Sequence, residues 1–356
     1  MGRLLAHTLA GRGMTVDLHD AGPPDAQGAA ARAAAAMLAP LAESAITELP
    51  VVRMGVHALT RWPQIVATLP RPVFLQREGT VIVWHRQDAP EARRFAGLLA
   101  RTTQALPDLP GLSPAREVDA AGLDALEPGL GARFPRGLHL PDEGQLDNRG
   151  LLEALRGELQ ADPRVQLHWG HAVNPQDVPD DGRWVIDCRG LGARAQWTAL
   201  RGVRGEVLRL HAPDVRLRRP TRLIHPRHPI YIAPQPDGLF VVGATEIETE
   251  DLSPASVRST LELLSAAYTV DPAFGEARIV EIATQARPTL PDNLPCIEVT
   301  APRRLRINGL YRHGFLIAPA LLDAALQWIE TGGAPLAASL GLRITQATQL
   351  PSAATR

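Results

Sequence analysis

A chain of 356 residues, 45% hydrophobic, with 37 basic against 38 acidic side chains and a net charge of −1, can bury one or two cores and carries no charge excess for nucleic acid or an anionic membrane surface. No apolar run approaches the roughly 20 residues needed to span a bilayer. Cys188 and Cys296 lack zinc-ligand or disulfide-framework spacing, so the expectation is a soluble, cytoplasmic α/β protein without a metal centre.

The first twenty residues carry the leading signal. Leu4, Leu5 and Leu9 predict a helix from Gly2, stopped by Gly11 and Gly13. Met14, Val16 and Leu18 then alternate with polar residues in a strand that ends on Asp20. A helix opening on glycine, a strand, and an acid about 20 residues on form the second half of a dinucleotide-binding βαβ unit. There Gly2 lets helix and strand touch, and Asp20 accepts hydrogen bonds from a ribose. The strand and two glycines that open such a unit are not in the sequence, and a gene start placed too late is the expected explanation. Alone, the fragment reads equally well as an ordinary helix and strand.

Residues 29–38 are nearly all small. They suit a helix or a close-approach surface for a bulky ligand, and the ligand reading is preferred because Asp20 lies so near. Residues 50–70 predict a helix with Val51, Met54, Leu59 and Trp62 on its apolar side. A strand pair, 73–76 and 80–84, follows around Glu78-Gly79, then a helix over 90–106. Loops with one short helix near 120–126 run from Pro107 to Pro135. Asp147 caps a helix carrying Leu151, Leu152 and Leu155, and a strand covers 165–169. A second strand, 184–188, runs into Gly190 and Gly192, a turn that either approaches a nucleotide again or closes a sheet edge.

Residues 203–210 and 229–244 alternate as antiparallel strands, the latter a hairpin turned at Pro236-Asp237-Gly238. Ser253-Pro254 opens a helix in which Val257, Leu261 and Leu264 share a face. A strand over 304–308, the loop 309–314 and a helix through Leu322, Leu326 and Ile329 follow, ended by Gly332-Gly333. Residues after 346 read as a mobile tail. His225 and His228 read as loop histidines, without the Glu partner of a metal site.

Five stretches together carry a family resemblance: Ala34–Pro40; Val203–Leu210; Tyr231–Pro234 with Leu239–Glu246; Ala286–Pro295; and Tyr311–Pro319. From Gly2 to about residue 335 the chain resembles the FAD-dependent amine oxidases that include D-amino acid oxidase, sarcosine oxidase and glycine oxidase, most of all the glycine oxidases of thiamine biosynthesis. The resemblance implies a Rossmann-like FAD-binding domain from residues 1–72, 137–202 and 281–345. An antiparallel-sheet substrate domain from 73–136 and 203–280 is inserted into it. It implies FAD contacts from Gly2, Asp20, Ala35, Ala36, Met37, Leu38, Val173, Gly190, Gly192, His313, Gly314, Phe315 and Leu316. His313 stands where glycine oxidases often carry Asn. The covalent members of the family use a cysteine in the closing segment; residues 301–335 contain none, so the FAD is expected to be noncovalent.

The implied reaction oxidises glycine or a small amine to the imine, with oxygen as acceptor and hydrogen peroxide as product. Arg287 and Arg312 occupy the positions that hold the substrate carboxylate, and Tyr231 completes the clamp. Arginine suits that task because its planar fork donates two parallel charge-assisted hydrogen bonds. Gly314 would face the flavin with the free N–H groups and positive end of the last helix. The alternatives are a D-amino acid oxidase or dehydrogenase with another acceptor, and a truncated flavoprotein without activity. Assembly into a homo-oligomer stays open.

Overall fold

The computed structural model describes residues 1–224 and 230–346; His225, His228 and the expected tail lie outside the described residues. The largest sheet has eight strands, in the order Arg278–Thr289, Arg201–His211, Leu239–Gly243, Ile230–Gln235, Thr221–Ile224, Thr80–Trp84, Arg136–Leu140 and Arg116–Asp119. Its neighbours are antiparallel except Thr221–Ile224 beside Thr80–Trp84. Three smaller sheets surround the nucleotide-like part. Val16–Asp20 pairs in parallel with Val165–Trp169. Val185–Asp187, Arg304–Asn308, Cys296–Ala301 and Arg343–Gln346 form a second. Met37–Leu38, Gly144–Leu146 and Leu75–Gln76 form a third.

The apolar periodicity of the long helices places the first core. In helix Leu49–Ala67, Val51, Met54, Leu59 and Trp62 are all essentially inaccessible and meet Leu316, Ile317, Leu321 and Leu322 of helix Gly314–Thr331. Gly55 is needed at this crossing, because a Cβ there would sit 2.8 Å from Leu316 Cδ1 and 2.9 Å from Pro40 Cβ. A second core lies against the large sheet under helix Val257–Val270, around Leu208, Ile232, Phe240 and Val242.

Three expectations need correction. Residues 73–76 and 80–84 do not pair with each other. Gly79 has φ +92° and gives its N–H to Glu143 O at 2.9 Å, so the chain passes from the three-stranded sheet into the large one. The alanine-rich stretch is helical only over Ala30–Ala33 and then becomes extended, with Ala36 at φ +54°; local helix propensity loses to pairing of Met37–Leu38 with Gly144–Leu146. The helix expected from Ser253-Pro254 begins at Val257, where Ser256 Oγ accepts the Ser259 N–H at 3.1 Å. Its buried face is Leu263, Ala266, Ala267 and Val270, while Val257 and Leu261 are 76% and 58% exposed and Leu264 is half-buried.

Candidate active site

The nucleotide-like end is built on the first helix and strand. A Cβ on Gly2 would lie 3.7 Å from Leu18 Cδ1 and 3.8 Å from Cys188 Cβ, so the helix start is held against two strands. Asp20 ends its strand and is oriented by the Gly22 N–H on Oδ1 at 2.9 Å. Val173 follows from the Asp20 end: His171 N–H donates to Asp20 O at 3.0 Å, two residues before it. Gly190 and Gly192 form a tight turn after Val185–Asp187. Gly190 has φ +56°, and its carbonyl accepts from Asn308 Nδ2 at 2.9 Å. Asn308 thereby joins this turn to the closing loop, and a Cβ on Gly190 would meet Pro288, the neighbour of Arg287, at 3.6 Å.

The small-residue turn is fixed from behind. Asn148, fully buried, donates to the carbonyls of Ala31 and Arg32 at 2.7 and 2.9 Å, and the Leu146 N–H takes Ala36 O. Ala35 and Ala36 are buried, and Leu38 faces the core. At the closing loop, Tyr311–His313 makes a short turn into helix Gly314–Thr331, which has no side-chain cap on its first N–H groups. A Cβ on Gly314 would meet nothing within 4 Å, so space is open at this helix end. Phe315 and Leu316 point their side chains into the core, beside Trp62 and Gly55; what they offer a ligand is backbone. An alanine wall, an uncapped helix end and the space at Gly314 fit a flat, partly anionic group such as the flavin of FAD.

The three polar residues expected to bind substrate do converge. Tyr231 lies on strand Ile230–Gln235 with its hydroxyl over Gly243, where a Cβ would come within 2.8 Å of it. Arg287, on the edge strand, crosses Gly205 and donates to Arg204 O at 3.3 Å and Thr245 O at 3.1 Å. Arg312 follows from the closing loop, and its charge is felt by both Tyr231 and Arg287. Burial raises the Tyr231 phenol above its usual range and lowers Arg287 below its own.

Several partners were not legible in advance. Glu43, at the end of the short helix Pro40–Glu43, is buried and pairs with Arg222, with Arg312 Nε at 3.2 Å and with His313 Nδ1 at 3.5 Å. Burial would raise its pKa; Arg312 and Arg222 outweigh this and hold the carboxyl well below the usual range. His313 is pushed down to about 4 by burial, against the pull of Glu43, and is therefore neutral at pH 7. On the outer side, Glu246 Oε2 lies 2.7 Å from Arg312 Nη1, and the Tyr311 hydroxyl bonds to Glu246. Arg222, Arg287 and Arg312 face Glu43 and Glu246, so guanidinium groups outnumber these two carboxylates, which suits an incoming carboxylate.

Gly205→Ala tests the Arg287 position. The new methyl would fall 2.2 Å from Arg287 Nη2, the mobile end of the side chain, so the guanidinium must shift while the strand holds. The expected result is a KM raised by about tenfold or more with little change in Tm. Glu143, behind Glu43, gives a pH prediction. It accepts the Ala42 N–H at 2.6 Å, and burial raises its pKa to about 7. A carboxyl raised on folding contributes stability that is complete below its unfolded pKa and is lost as pH rises through the folded one. The loss should run from about pH 4.5 to about pH 7 and amount to roughly 3 kcal/mol. Urea unfolding of Glu143→Gln should lack this slope and show a more stable protein than wild type at pH 8.

Comparison with known proteins identifies the family and the fold. The sequence profile described as FAD dependent oxidoreductase matches residues 1–324. A protein of Rhizobium etli described as a putative thiamine biosynthesis oxidoreductase ThiO is 42% identical over 303 residues, covering 85% of this chain and 86% of that protein. Glycine oxidase from Geobacillus kaustophilus superimposes with a TM-score of 0.75 at 21% identity, over 92% of this chain and 91% of that one. Iminodiacetate oxidase from Chelativorans sp. BNC1 gives 0.78 at 19% identity over 97% of each. At these identities the two structures speak to the fold.

Proposed function

The chain belongs to the FAD-dependent oxidoreductase family, and from that premise we propose that it oxidises the amine of glycine, or of a similarly small amino acid, to the imine. The imine then hydrolyses to glyoxylate and ammonia or is consumed in building the thiazole of thiamine. Oxygen is the proposed acceptor, hydrogen peroxide the second product, and the cytoplasm the proposed location. Among the described residues no helix is long and apolar enough to cross a membrane.

The observation that carries this reading is the meeting of Tyr231, Arg287 and Arg312 beside the alanine turn and the open end of the last helix. Noncovalently bound FAD would supply the two-electron acceptor. The chain's own residues bind and aim. Arg287 and Arg312 take the substrate carboxylate, with the Tyr231 hydroxyl as third donor, so that the α-carbon is presented at one distance and angle; position is most of what such a reaction requires. Glu43 keeps the Arg312 guanidinium fixed from behind. Cofactor contacts are assigned to Gly2, Asp20, Ala35–Leu38, Val173, Gly190, Gly192 and residues 313–316, by backbone where the side chain faces the core. FAD binding is assigned to residues 1–72, 137–202 and 281–345, and substrate binding to residues 73–136 and 203–280.

The test is product formation. Glycine should yield glyoxylate and hydrogen peroxide in equal amounts. Turnover of D-alanine or D-proline far above glycine, or reduction of a quinone with no use of oxygen, would replace the glycine reading.

A further inference from the structure

Glu246 has no part in the clamp just described, yet its carboxylate lies on the mouth side of Arg312, 2.7 Å from Nη1. Arg312 thus has two carboxylate partners of different kinds. Glu43 is buried and locked by Arg222 as well. Glu246 has a side chain 44% exposed and is steadied by the Tyr311 hydroxyl.

The segment that carries Glu246 is pinned. Its acids alternate: Glu248 pairs with Arg201, and Glu250 pairs with Arg194 and accepts the Gly202 N–H at 2.8 Å. Directly after Glu246, Ile247 bridges to Arg204 through backbone hydrogen bonds of 3.0 Å each way. The Thr245 N–H also reaches Glu206 O at 3.2 Å. With backbone held on both sides, movement of Glu246 away from Arg312 is a matter of side-chain rotation.

We propose that Glu246 is a gate carboxylate, which occupies the place of the substrate carboxylate on Arg312 and is displaced by it. The proposal rests on the reading of Arg312 as the substrate's carboxylate partner. An incoming acid that takes the Nη1–Nη2 edge of Arg312 as a bidentate partner meets Glu246 already on Nη1, and two carboxylates crowded on one guanidinium edge repel each other, so the bidentate pair forms as Glu246 turns away. The exchange lowers affinity for every carboxylate ligand by the same factor, and it excludes ligands too weakly anionic to compete. It also keeps Arg312 in one geometry between turnovers. Once turned outward, Glu246 adds negative charge at the mouth, which disfavours a second carboxylate on the ligand and so favours monocarboxylic amines.

The experiment is titration of the FAD-loaded protein with acetate, read as perturbation of the flavin absorbance and needing no turnover. Glu246→Gln keeps the shape and a hydrogen bond to Tyr311 but removes the charge. The acetate Kd should tighten by about tenfold, and the KM for glycine should fall by a similar factor. Tyr311→Phe, which frees Glu246 on one side, should move both in the same direction by less. Equal acetate affinity in wild type and Glu246→Gln overturns the gate while leaving the clamp intact. Weaker binding in Glu246→Gln also overturns it, since Glu246 would then be organising the site. If acetate perturbs neither protein, the gate falls together with the reading of Arg312 as a carboxylate site.

Discussion

Arg312→Ala should lower kcat/KM for glycine by at least about a hundredfold and destabilise the protein by about 3 kcal/mol. The two effects have separate causes. The first is loss of a charge-assisted donor pair aimed at the substrate carboxylate. The second is behind the site, where buried Glu43 is held as an anion by Arg312 and Arg222 together. Removing one of them leaves a carboxylate short of countercharge, a costlier state than the intact pair or an apolar replacement of both. Arg312→Lys separates the causes. The ammonium restores countercharge, so urea midpoints should return most of the way, while the lost fork keeps kcat/KM low. Full activity in Arg312→Lys would contradict bidentate recognition.

Gly314→Leu should weaken FAD affinity by about a hundredfold with little effect on the stability of the apoprotein. The reason is the emptiness around this residue. A Cβ on Gly314 meets no protein atom within 4 Å, and its φ of −45° and ψ of −55° suit any helical residue. The backbone therefore accepts a side chain here, and leucine improves helix propensity over glycine. It would be felt only by a ligand resting on the first N–H groups of the helix. Titrating apoprotein with FAD and following flavin fluorescence measures this directly, and unchanged affinity would remove the helix end from the cofactor site.

The helices were legible where one pattern dominated. The stripe Val51, Met54, Leu59 and Trp62 gave both the element and the face it buries. The same rule misled at Val257 and Leu261, because that helix buries a different face, that of Ser259, Leu263, Ala266, Ala267 and Val270, against the sheet. Strand Arg278–Thr289 left little trace. It is an edge strand whose first half is exposed on both faces, so apolar and polar residues do not alternate cleanly. For the site, Tyr231, Arg287 and Arg312 could be singled out through the resemblance of the segments around them. Glu43, Arg222 and Glu246 could not, because their importance arises from contacts between segments far apart in the sequence, Glu43 with Arg222 and Arg312 and Glu246 with Arg312, and no local pattern encodes these.

Everything proposed for this chain requires that it hold FAD in a site that accepts glycine. The measurement is the visible spectrum of the purified protein, before and after glycine is added without oxygen. The prediction is a flavin spectrum that bleaches on adding glycine and returns on admitting air. A flavin spectrum indifferent to glycine at any concentration would contradict the proposed substrate, and a chain that binds no flavin would contradict the site itself.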